Sequence, residues 1–427
     1  RGILGWREVG TMKIVIMGGG VIGVTGAYFL ARDGHEVTVL DRQPVPANET
    51  SFANAGLVAP GHSYAWASPQ APMIMLRSLW RDGQSLRLKP KFDPHMWLWC
   101  LKFLGQCTTE RARINTTRKL GLCVYSQKLL HGVVQHTNVA YDRRAKGCIY
   151  LYRTPAALEK GVLKTKILAD SGQQFEVVDG GRAAEIDPIF APVKDKFAGG
   201  IYCPTDESGD VNMFTRGLAE FCRRELGVSF EMDTTIRGID VAGGRVERIV
   251  TDKGDFTADH YVLSLGSYSP FVARKIGINL PIYPVKGYSL TLPVGPQHEA
   301  PNLGGVDEEN LVAFTRMGDR LRLTATAEFS GYDTTHEPSD FAAMLAAARD
   351  MFPNGGDYSR PTYWAGLRPM TPEGTPIFGY GRYDNLFMNT GHGHMGWTMS
   401  CGAGQITADL IAGRQAQIDL AGMMMQS

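Results

Sequence analysis

Met12 to Met17 is a short β-branched run that breaks into Gly18-Gly19-Gly20-Val21-Ile22-Gly23 and continues as a helical stretch to about Asp33, where Gly34 offers a C-cap. His35 to Asp41 then alternates like a second strand and ends in an acid twenty-one residues beyond Gly20. A lone G-x-G-x-x-G arises by chance in a chain with 50 glycines in 427 residues. Flanked by strand, helix, strand and acid, it marks the βαβ unit that binds a dinucleotide. Gly18 permits the tight turn, Gly20 lets backbone approach a pyrophosphate, and Gly23 lets the helix pack on the strand. The helix N-terminus at Val21 and Ile22 favours the anion. Asp41 would accept the ribose hydroxyls, while Arg42 beside it could meet a 2′-phosphate. The pattern does not choose between FAD and NAD, which share the ADP half.

From Ile14 to Ala31 no charge occurs, a length that would suit a membrane span. Gly18, Gly19, Gly20, Gly23 and Gly26 interrupt it, which suits strand, turn and helix instead. Lys and Arg number 44 against 43 Asp and Glu, so no global field draws the chain to nucleic acid. Seven scattered cysteines without a C-x-x-C pair read as reduced thiols in a cytoplasmic protein. The ten histidines offer no ligand spacing, so no metal is expected. Residues 1–11 read as an extension outside the fold. Residues 66–135 read as helical, and within them Met96 to Leu104 is dense in apolar and aromatic side chains. That stretch is too short to span a bilayer; it reads either as a core helix or as an interfacial helix at the inner face of a membrane. Strand-like runs follow between 196 and 290, with one helix at about 213–226. A hairpin is expected over 311–329 around Gly318-Asp319.

Downstream of Asp41 comes Glu49-Thr50-Ser51-Phe52-Ala53-Asn54-Ala55-Gly56-Leu57, a polar, glycine-bearing stretch. Tyr283-Pro284-Val285-Lys286-Gly287-Tyr288-Ser289, Gly366-Leu367-Arg368-Pro369-Met370-Thr371-Pro372 and Asn389-Thr390-Gly391-His392-Gly393 follow towards the C-terminus. With these motifs the chain resembles the FAD-dependent amino-acid oxidoreductases of the D-amino-acid-oxidase superfamily, which includes the glycine oxidases, and within it the small-subunit type of D-amino-acid dehydrogenase. The resemblance runs from Met12 to Ala412 and favours FAD over NAD.

It implies an α/β fold: a Rossmann-like FAD-binding domain built from residues 12–65, 165–280 and 355–427. A substrate domain with a mixed or antiparallel sheet, 66–164 and 281–354, is inserted in pieces. Thr50, Ser51, Asn54, Gly56 and Leu57 would line the cofactor. Ile236 and Gly266, at the ends of strand-like runs, add to them. Gly391, Gly393, His394, Met395 and Gly396 turn into a helix at Trp397 and Thr398, whose free N–H groups and positive end would face the electron-rich edge of a reduced flavin.

Arg368 is the strongest catalytic candidate, because a guanidinium binds an α-carboxylate through two parallel hydrogen bonds. In the resembling glycine and D-amino-acid oxidases the arginine of this Arg-Pro motif does so. Lys286 and Tyr288 fall on one strand face and are weaker candidates, as is His394 for handling protons. Sarcosine oxidases carry a flavin-linked cysteine aligned with Gly366, so the flavin here should be noncovalent. They also place a lysine where this chain has Met395. The expected reaction is oxidative deamination of a D-amino acid: hydride leaves Cα for flavin N5 and the imine hydrolyses, with no strong general base required. Electrons would pass to a quinone or to oxygen. The nearest alternative is oxidation of secondary or N-methyl amino acids such as sarcosine, proline or hydroxyproline, which shares every motif. A flavin-containing docking module with little turnover is the alternative of another class. Oligomeric state is not legible here.

Overall fold

The computed structural model describes residues 10–78, 86–88 and 92–425. Most of the expected extension, residues 1–9, lies outside them. Strand Lys13–Met17 pairs in parallel with Glu36–Leu40 on one side and His260–Leu263 on the other. Leu386–Thr390 and Ile377–Tyr380 extend the sheet beyond His260–Leu263, and Ser229–Glu231 closes the other edge, giving six strands. Helix Val21–Arg32 leaves the first strand at once, and most of its residues are buried. It carries no amphipathic stripe because the sheet, helix Val211–Glu225 and helix Gly396–Ile411 enclose it. The helices cross closely at glycine: a Cβ on Gly404 would lie 2.7 Å from the Thr25 carbonyl oxygen. Thr25 Oγ1 donates to the Ser400 carbonyl at 2.9 Å across that crossing. Helix Val211–Glu225 shows the ordinary amphipathic pattern instead, burying Val211, Phe214, Leu218 and Cys222, with Asp210 as N-cap.

A second, nine-stranded sheet is mixed and mostly antiparallel. Near one edge Tyr283–Pro293 lies between the edge strand Thr362–Met370 and Arg320–Phe329. The expected hairpin forms from Val312–Met317 and Arg320–Phe329 around Gly318 (φ +58°). Gly304–Asp307, Cys148–Tyr152, Gly199–Cys203 and Glu176–Val178 complete the far side. Sheet membership therefore divides the chain differently from the expected segments. Glu176–Val178 and Gly199–Cys203 (expected with the cofactor segment 165–280) and Thr362–Met370 (expected with 355–427) all join the nine-stranded sheet. Helix Thr109–Thr137, expected with the substrate segment 66–164, packs on helix Gly396–Ile411, where the Gly402 N–H donates to Ser126 Oγ. Short apolar strands carry no mark of which sheet they will join, so sequence order alone does not assign them to one.

Helix Pro94–Gln106 has two apolar faces. Met96, Trp99, Cys100 and Phe103 are buried in a cluster with Tyr283 and Phe329. Trp97 (46% exposed) and Leu101 (67%) lie on the other face with Leu98 and Leu104. Among the described residues no helix is long and apolar enough to cross a membrane.

Candidate active site

A cavity of about 550 Å³ is lined from both large sheets. At one end stand Gly18, Gly20, Val21, Ile22, Asp41 and Arg42. Gly18 adopts φ +114°, and a Cβ there would lie 2.6 Å from the Ser264 carbonyl oxygen, so only glycine makes this turn. Asp41 accepts from the N–H groups of Gly19 (2.6 Å) and Gln43 (2.8 Å). Burial raises its carboxyl above the usual range, and those two bonds counter part of the rise. Arg42 donates from Nε to Glu49 at 2.8 Å and lies 4.0 Å over the Tyr268 ring. Its charge is already matched, and a 2′-phosphate would meet Glu49 as well.

The polar stretch after Asp41 forms the next part of the wall. Ser51 Oγ accepts from the Val21 N–H at the helix N-terminus, and Thr50 Oγ1 donates to the Leu367 carbonyl. Asn54 Oδ1 accepts from the Gly56 N–H, closing a turn in which Gly56 has φ +72°. Leu57, Ile236 and Gly266 line the wall too, as do Gly393, His394, Met395, Gly396 and Trp397. Three expected contacts stand one layer back. A Cβ on Gly23 would fall 1.8 Å from the Gly18 carbonyl oxygen, so Gly23 serves helix packing. Gly391 packs on Thr371, and Thr398 Oγ1 accepts from the Ala59 N–H and donates to the Leu57 carbonyl.

On the strand pair above, Arg368 sits opposite Val285, so it shares a face with Val285, Gly287 and Ser289. That face looks into the cavity. Arg368 Nη1 donates to the Thr326 carbonyl at 2.8 Å, and Thr326 has φ +64° at a register shift in Arg320–Phe329. Among the described residues no carboxylate pairs with this guanidinium. Burial alone pushes it down to about 10, so it stays charged at neutral pH. Lys286 and Tyr288 share a face as expected, but it is the opposite one. Lys286 Nζ donates to the Thr335 carbonyl and lies 3.8 Å from Glu328. The Tyr288 hydroxyl donates to Glu328 Oε2 at 2.9 Å, and its ring meets Phe341 edge-on. Tyr288 reaches the cavity wall, but its hydroxyl is committed elsewhere, and Lys286 does not line the cavity.

Residues 13–410 match the family described as FAD dependent oxidoreductase, DAO. The chain belongs to that family of FAD-dependent oxidoreductases. D-amino acid dehydrogenase 2 of Mesorhizobium japonicum is 46% identical over 97% of this chain and 99% of its own length. D-amino acid dehydrogenase of Bradyrhizobium diazoefficiens is 45% identical over 96% and 98%. The fold is similar to that of glycine oxidase from Geobacillus kaustophilus, with TM-score 0.74 at 20% identity over 97% of this chain and 99% of that one. The wall suits the family's cofactor. Ser264 Oγ, Ser289 Oγ, both amide atoms of Asn389, His392 Nε2 and Trp397 Nε1 are buried there without a partner among the described residues. Such orphaned groups are costly unless a ligand rich in donors and acceptors meets them, and FAD is one.

Two histidines of this chain, His392 and His394, stand in the turn that enters helix Gly396–Ile411. Burial pushes His392 down to about 3. His394 is held well below the usual histidine value by burial, then by the charges of Lys119, Arg368, His62 and Lys164, and it stacks on Trp66 at 4.7 Å. His394 therefore forms wall rather than acid or base. Sequence reading missed His62 and Trp66 in the wall, and Tyr268 and Phe271 near Arg42. None sits in a spaced motif. Only their place in the loops after strands Leu57–Val58 and His260–Leu263 could have drawn attention to them.

Proposed function

We propose that this protein is a D-amino acid dehydrogenase, converting a D-amino acid to its imine, which hydrolyses to the 2-oxo acid and ammonia. The observation that carries this reading is Arg368, a cavity-facing guanidinium with no carboxylate of its own among the described residues. A buried cation without a counterion favours a ligand that supplies one, and an α-carboxylate fits its fork. FAD, when bound, supplies the hydride acceptor. Gly18, Gly20 and Val21 would hold its pyrophosphate, Asp41 its ribose, and the Gly393–Trp397 turn the charged edge of its ring. Gly366 offers no thiol and no cysteine lines the cavity among the described residues, so no thioether to the flavin forms and the reading takes FAD as held noncovalently. Arg368 holds the substrate carboxylate, while Trp66, Trp364 and His394 exclude water around it.

In this reading the six-stranded sheet with its helices is the cofactor domain and the nine-stranded sheet the substrate domain. Names of relatives at 45–46% identity support the D configuration. The exposed apolar face of Pro94–Gln106 supports contact with a membrane and a quinone as acceptor. The test is the visible spectrum of the flavin-loaded protein, recorded anaerobically with D-amino acids, their L enantiomers, sarcosine and D-proline. Bleaching by D-amino acids is expected. Bleaching by secondary amines alone would transfer the site to those substrates, and no bleaching at all would end the reading.

A further inference from the structure

The loop after strand Leu57–Val58 brings His62 into the wall of the cavity on which Arg368 opens. The His62 ring stacks on Tyr150 (centroids 4.7 Å, planes 22° apart) and meets Tyr64 edge-on at 5.5 Å. Its Nε2 lies 2.6 Å from Glu308 Oε1. Tyr150 and Glu308 come from parallel neighbours, since Val306 pairs with Tyr150 and Glu308 follows one turn of strand later. Glu308 stands behind the ring and does not itself line the cavity. Burial would raise its carboxyl, but the imidazolium form of His62 and the hydrogen bond from its ring, and then the charge of Lys164, hold it below its ordinary value. Glu308 is thus an anion that fixes the ring's rotation and its tautomer. In the neutral ring, with Nε2–H given to Glu308, Nδ1 carries the lone pair, and it makes no hydrogen bond to a described residue.

Resting on the amino-acid reading above, we propose that His62 is the catalytic residue that takes the proton from the substrate's α-ammonium, and that Glu308 positions it. One N–H bond of the ammonium breaks and its electron pair stays on nitrogen. A new N–H bond forms at His62 Nδ1, and the positive charge passes to an imidazolium that Glu308 balances. The step consumes no oxidant. It leaves the neutral amine whose lone pair assists departure of the Cα hydride. His394 cannot substitute, because burial and the surrounding cations suppress its protonated form. Besides Glu308 and His394, the titratable and charged groups around the ring are Tyr64, Tyr150, Asp206 hydrogen-bonded to Tyr150, and Lys164, whose Nζ lies 3.9 Å over the Tyr64 ring.

The test follows flavin reduction by D-alanine, anaerobically and across pH, in the wild-type holoenzyme, His62→Gln and Glu308→Gln. Flavin absorbance per chain reports whether each variant has folded. His62→Gln should reduce on the order of 10²-fold more slowly near neutral pH. Its deficit should shrink as pH rises and the substrate amine deprotonates unaided. Glu308→Gln should show a smaller loss and a displaced acid limb, and it decides the matter alone if His62→Gln does not load flavin. A wild-type rate and pH profile in these variants overturns the proposal, and so does a deficit that persists undiminished at high pH. Reduction of the wild type keeps the amino-acid reading in either case, whereas a wild type that no amino acid reduces overturns both.

Discussion

A Cβ on Gly287 would stand 2.5 Å from Cζ of Arg368, so the guanidinium lies against bare backbone of the neighbouring strand. The two residues sit on one face of an antiparallel pair, two positions apart in register. The missing side chain is what lets Arg368 turn towards Thr326 and the cavity.

Gly287→Ala should therefore act on Arg368 more than on the fold. The methyl group meets the tip of a flexible side chain, which can swing away. Displacing one charged hydrogen bond to the substrate costs about 1.5–3 kcal/mol, a rise in KM of roughly 10- to 100-fold. Steady-state kinetics with D-alanine and the flavin content of the purified variant check this, and an unchanged KM would contradict it.

Arg368→Lys keeps the charge and removes the fork. A point charge on a flexible stem does not reproduce two parallel N–H bonds. Substrate affinity should fall by at least about 10-fold while FAD stays bound, because Arg368 bonds the Thr326 carbonyl of the nine-stranded sheet and, among the described residues, nothing in the Gly18–Gly23 turn. Titration of the flavin spectrum with substrate measures the first, and equilibrium dialysis of FAD the second. Loss of FAD together with activity would make Arg368 structural.

Lys286→Met separates a buried ion pair from a catalytic role. Lys286 and Glu328 are both buried, and removing the cation leaves the carboxylate with the Tyr288 hydroxyl at 2.9 Å and with Arg87 at 3.9 Å, about as near as Lys286 at 3.8 Å. The expected cost is about 1–3 kcal/mol of stability, read as a lowered Tm, because the Thr335 carbonyl loses its donor while Glu328 keeps Arg87. Flavin reduction at saturating substrate should keep its rate. A slowed rate at unchanged Tm would restore Lys286 to the site.

Asp206 sets a pH dependence of stability. It is 1% exposed, and burial pushes it up to about 6, against hydrogen bonds from the Tyr150 hydroxyl and the Gly61 N–H. The folded chain therefore holds a proton that the unfolded chain releases near pH 4. Stability conferred by that proton is complete below about pH 4 and is lost as pH rises through about 6. Asp206→Asn should flatten this window by roughly 3 kcal/mol, seen in denaturant unfolding at pH 4, 5, 6 and 7.

The cofactor end was legible because every part of its pattern is local. Strand, turn, helix and terminal acid occupy one stretch from Lys13 to Asp41, and the structure places them side by side. The strand period correctly put Lys286 and Tyr288 on a common face but could not say which face meets the cavity. That choice depends on Arg368 and on the irregular register near Thr326, contributed by two other strands. His62 and Glu308 lie 246 residues apart and share no motif, so only the folded sheet brings them together. The sheet that Glu176–Val178 and Gly199–Cys203 join was not legible for the same reason: strand pairing is a property of partners, not of the strand.

The crossing of Val21–Arg32 with Gly396–Ile411 ties the first helix to nearly the last, through a hydrogen bond between residues 375 positions apart. The glycine-rich turn emerges early from the ribosome, yet its supporting strand His260–Leu263 and covering helix are translated much later. A nascent chain carrying only the nucleotide motif has no finished sheet to hold it. Capture of FAD thus awaits helix Gly396–Ile411, and a chain cut short of Gly396 should fail to retain the cofactor even though every glycine of the fingerprint is present.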